Sequence, residues 1–148
     1  MKSAYRVLAG LICLLVLVQS ASIALGTFGI IHFVEGGNDY TKAVGETGAA
    51  EAGGIGQSIH SIGATAVTLV AIILLVVGFL AKIEDGLKWA VIVFVAVLLQ
   101  WGFAIAAFQA PVVGLLHGVN AFVIFGTAMT AMQKAKASTA APVEPAAA

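Results

Sequence analysis

Four long apolar runs constrain this chain more than anything else in it. They extend approximately over residues 6–34, 58–81, 87–109 and 112–132. Each reaches the roughly 20 residues that a hydrocarbon core about 30 Å thick requires. Strands of a membrane β-barrel alternate apolar and polar side chains, whereas these runs are continuous, so they read as helices whose backbone groups are satisfied internally. Of the 148 residues, 61% are hydrophobic and 9% charged, against roughly 45–50% and 25% in a soluble domain. A chain this short has too much surface for its volume to hide that excess from water. The expected fold is all-α: a four-helix transmembrane bundle, up-down-up-down, in one domain over residues 1–135. The Ala/Pro/Ser/Thr-rich segment 136–148 reads as a disordered tail. The net charge of zero offers no electrostatic footprint for nucleic acid. The partners implied are the lipid bilayer and other membrane subunits.

The first run also has to be weighed as a signal peptide. Lys2 and Arg6 precede it, and Ser20-Ala21-Ser22 resembles a cleavage site. Its apolar stretch nevertheless continues to Val34, well past the 7–15 residues of a signal core, so the reading is a retained helix. Orientation follows from the basic residues. Lys2, Arg6, Lys82, Lys88, Lys134 and Lys136 lie at the termini or in the middle loop, and only Lys42 lies elsewhere. That distribution predicts a multi-pass protein of the cell membrane with N- and C-termini in the cytoplasm. Residues 36–57 then form an extracytoplasmic loop, Gly/Ala-rich, acidic and without periodicity. Pro111 should break the chain into a tight turn between the third and fourth helices.

The two halves of the chain resemble each other. The second helix carries Ile59-His60-Ser61-Ile62-Gly63-Ala64, and the fourth carries Leu116-His117-Gly118-Val119-Asn120-Ala121. The first and third helices each hold a mid-span glutamine, Gln19 and Gln100. Each half therefore reads as a helix with an internal glutamine followed by one that opens with histidine, a duplicated helical hairpin.

Polar side chains inside a membrane are costly and often mark function. The chain has three histidines, and the expected topology brings His32, His60 and His117 to similar depth, within roughly 10 Å of the outer boundary at 1.5 Å of rise per residue. Gly63 and Ala64 follow His60 by one turn, as Asn120 and Ala121 follow His117. Small residues there either leave a slot for something flat or let helices approach closely. Gln19 and Gln100 read as interhelical hydrogen bonds, and Ser22, Gly26 and Gly29 as a packing stripe. Ligand binding and plain polar packing both fit His60 and His117.

Over nearly its whole length the chain resembles an uncharacterised family of small bacterial four-span membrane proteins. Tyr5-Arg6-Val7-Leu8, the acidic Gly-rich loop and the two histidine motifs carry that likeness, which implies the architecture and no activity. The arrangement is also similar to four-helix membrane haem proteins such as each half of haem A synthase. That likeness implies His60 and His117 as axial ligands of a haem b, in an electron-transfer or redox-accessory role. No outer arginine is present to pair haem propionates, and Lys42 alone could serve. No Cys-x-x-Cys-His occurs, so the haem would be non-covalent. Two other readings stand beside it. One is a non-catalytic membrane protein or accessory subunit of a larger complex. The other is a zinc or copper site built from His32, Glu35, His60 and His117, since three imidazoles and a carboxylate complete a tetrahedron. Proton-coupled transport is disfavoured because no acidic residue lies within a span.

Overall fold

The computed structural model describes residues 1–48 and 50–140. The structure is all-α: α1 (Lys2–Glu35), α2 (Lys42–Thr47), α3 (Ala52–Leu80), α4 (Gly86–Ala107), a 3-10 turn at Pro111–Val113, and α5 (Gly114–Ala140). Helices α1, α3 and α4 and the segment Pro111–Ser138 are long and apolar enough to cross a membrane, and they correspond to the four runs read from the sequence. Pro111 opens the short turn between α4 and α5, where its missing N–H costs nothing.

The main departures from the sequence reading lie in the first loop and at the C-terminal end of the last helix. The segment 36–57, read as structureless, contains α2, and α3 begins at Ala52 rather than near residue 58. Thr41 caps α2 by accepting a bond from the Val44 N–H at 3.3 Å. Gly48 ends it in the left-handed conformation, φ 68°, which glycine adopts without steric cost. At the other end, α5 runs through residue 140, so residues 136–140 of the expected tail are helical, and 141–148 lie outside the described residues. Three contacts fix this last part of α5. Ala135 is fully buried, Lys134 pairs with Asp85 at 3.2 Å, and Lys2 donates to the Ser138 carbonyl at 2.9 Å.

The chain divides into two compact units. One comprises Met1–Cys13 with the chain from Thr68 onward. Its core is rich in alanine: Ala9, Ala71, Ala90, Ala128, Ala131 and Ala135 are all fully buried. Small side chains let helix backbones approach closely and pack by van der Waals contact. Tyr5 is the largest fully buried side chain, and its hydroxyl donates to the Gly86 carbonyl at 2.6 Å. Cys13 lies beside the Phe125 carbonyl at 3.6 Å.

The second unit, Leu14–Val67, is organised by glycines. A Cβ placed on Gly56 would strike Gly26 and, at 2.6 Å, the Ser22 carbonyl. One on Gly29 would strike Gly53 and, at 2.7 Å, the Ala52 carbonyl carbon. The Ser22/Gly26/Gly29 stripe of α1 therefore meets the Gly53/Gly56 edge of α3 backbone to backbone. That contact explains the early start of α3: the glycines that resemble a loop in sequence form a crossing.

Candidate functional site: two histidine–glutamine clasps

His60 and His117 are both half-buried, and their rings make the same contact. The Nδ1 of His60 lies 3.2 Å from the backbone carbonyl of Gln19. The Nδ1 of His117 lies 3.1 Å from that of Gln100. A carbonyl can only accept, so each ring carries its proton on Nδ1 in this contact, and in the neutral imidazole Nε2 then holds the lone pair. The parallel between Gln19/His60 and Gln100/His117, visible in sequence as an approximate repeat, is thus a repeated hydrogen bond in each unit.

Around these bonds the two sites diverge. Gln100 and His117 grip each other twice, because the Gln100 Nε2 also donates to the His117 carbonyl at 3.0 Å. Asn120, only 7% exposed, donates to the Gln100 Oε1 at 2.7 Å and to the Ala96 carbonyl at 2.8 Å. The glutamine amide is held from both ends. In the other unit the residue one turn beyond histidine is Gly63. The Gln19 amide lies directly against its α-carbon, occupying the space a Cβ would fill. Buried Ser22 donates to the Gln19 carbonyl at 2.9 Å, but Gln19 Nε2 is buried with no hydrogen-bond partner. An unmet buried donor costs on the order of 1–3 kcal/mol.

His32 and Glu35 sit on the last turns of α1 and are exposed. Among the described residues, no group of three or more His, Cys, Asp or Glu could hold a metal ion. The slot foreseen beside His60 is filled by the Gln19 amide, and the polar atoms beside His117 are engaged with one another.

Sequence reasoning noted Asn120 only as a small neighbour of His117. Its signal was a carboxamide in an apolar helix, one turn from histidine. An open groove of about 410 Å³ beside α2, with Tyr40, Glu46, Gln57 and Ser58 among its walls, had no comparable signal, because the segment carries no periodicity. Glu46 there is paired with Lys42 at 3.6 Å. No protein-family model, curated protein or solved structure matches the chain.

Proposed function

We propose that this is a multi-pass cell-membrane protein without catalytic chemistry, an up-down-up-down four-helix bundle that serves as an accessory subunit in a larger membrane assembly. The observation that carries the non-catalytic reading is how the intramembrane polar groups are used. The Nδ1 atoms of both histidines, both glutamine backbone carbonyls and the Asn120 amide are engaged in bonds that tie helix to helix. Such bonds stabilise membrane helix pairs by about 0.6 kcal/mol on average. The distribution of basic residues places both termini in the cytoplasm under this reading. Asp39→Cys should then react with an impermeant maleimide in intact cells and Glu84→Cys should not; the reverse pattern would invert the topology.

Haem b held by His60 and His117 is a second reading, favoured by the Nδ1–carbonyl contacts. Ligating imidazoles commonly donate their other ring nitrogen to a carbonyl, which sets the tautomer and orientation. Bound haem would supply one-electron transfer, with the clasps orienting the rings. An absorption spectrum of detergent-purified protein, expressed with haem supplied, separates the two. The accessory-subunit reading expects colourless protein whose His60→Ala and His117→Ala variants lose only thermal stability. A Soret band that either substitution abolishes would overturn it in favour of haem.

A further inference from the structure

At the end of α3 nearest α4, Leu75, Val76, Phe79 and Leu80 form a groove of about 410 Å³ closed on one side by Leu87 of α4. Every wall is hydrocarbon, and among the described residues Phe79, 75% exposed, and Val76, 55% exposed, are left largely uncovered. The volume lies within the roughly 300–1,000 Å³ of small-molecule sites, but the groove offers no polar group to orient a soluble ligand.

What lies beside it is charged. Ala81 and Ile83 are buried and anchor the α3–α4 loop, so Lys82 and Glu84 between and after them are turned outward. Lys82 takes a left-handed backbone, φ 49°, uncommon for a residue with a side chain. Lys88, next to Leu87, is exposed, with its ammonium 5.9 Å from the Trp89 ring centroid. Asp85 is engaged by Lys134, leaving two ammonium groups against the single carboxylate of Glu84. The groove's boundary is therefore net positive.

We propose that this groove is a site for an anionic glycerophospholipid, with one acyl chain along Phe79 and Val76 and the headgroup phosphate between Lys82 and Lys88. The inference rests on the membrane-spanning reading above. An all-hydrocarbon trough excludes a polar ligand's body, and the flanking lysines select the headgroup. A basic side chain at a membrane surface favours an anionic lipid by about fivefold.

Native mass spectrometry of the full chain in detergent, offered phosphatidylglycerol and phosphatidylcholine with identical acyl chains, tests the site. One phosphatidylglycerol should be retained, preferred by about fivefold per lysine, and Lys82→Gln with Lys88→Gln should bring the preference to parity. Glycerol phosphate, which has the charge without the chains, should not displace the lipid. Equal retention of the two lipids by the unaltered chain overturns the headgroup site. Displacement by glycerol phosphate overturns the role of the groove. A chain that alkaline carbonate strips from membranes fails at the earlier step, the spanning reading itself.

Discussion

The two histidine clasps share a skeleton and differ in how they are closed. In both, a histidine Nδ1 sits on the backbone carbonyl of a glutamine in another helix. At His117 the glutamine returns the bond and Asn120 holds its oxygen. At His60 position 63 is glycine, and the glutamine amide is left without a partner. The backbone-directed bond depends only on where the helices run, so it recurs. The side-chain closure depends on one residue, three positions after histidine, and is lost when that residue has no side chain. What the His60 unit lacks in polar closure it has in proximity, because Gly56 and Gly26 bring their backbones into direct contact.

If that division is right, the largest effect belongs to the glycine crossing. Gly56→Leu should destabilise the protein by about 3 kcal/mol or more, since the obstacle is backbone and overpacking already costs about 1–3 kcal/mol where side chains can yield. Gly118→Leu, where a new Cβ meets nothing within 4 Å, should stay within about 0.5 kcal/mol. Unfolding in mixed detergent micelles measures both, and comparable losses would mean the crossing is not close.

A smaller effect separates the glutamines. Gln100→Leu should cost about 1–2 kcal/mol, because it removes two bonds and strips Asn120 of one acceptor. Gln19→Leu should cost less than about 0.5 kcal/mol or stabilise, since it deletes an unmet donor. Equal costs would break the asymmetry.

The finest test is coupling. Asn120→Ala removes two bonds and should cost about 1.2 kcal/mol, twice the average for a membrane hydrogen bond. In that background Gln100→Leu should lose part of its own penalty. A double-mutant cycle reads the difference, and strict additivity would mean the two amides do not act together.

How far these features were legible in the sequence follows from their physics. The long helices were, because an apolar run of more than 20 residues has few other solutions, and Pro111 marked its turn by removing a donor. Helix α2 and the start of α3 were not. Gly53 and Gly56 look like loop residues until Gly26 and Gly29 of α1 are set against them, and that pairing is tertiary. The clasps were half legible: the recurrence of Gln and His was visible, but no periodicity says that a ring nitrogen will seek the glutamine's backbone rather than its side chain. The consequences of Asn120 against Gly63 depend on which side chains the helices bring together, which is tertiary.

If the helices span a membrane as proposed, the length of α1 bears on which membrane suits the protein. Its 34 residues extend about 50 Å at 1.5 Å each, while the 22 of α4 extend about 33 Å, close to a hydrocarbon core of about 30 Å. A helix that exceeds the local thickness must tilt or lift its ends into the headgroups, at fractions of a kcal/mol per Å of mismatch. On the membrane-spanning reading, α4 would fit a bilayer of ordinary thickness nearly upright. On that same reading, bilayer thickness therefore acts on α1 more than on α4, and a thin membrane would reorient the helix that carries Gln19 before the one that carries Gln100.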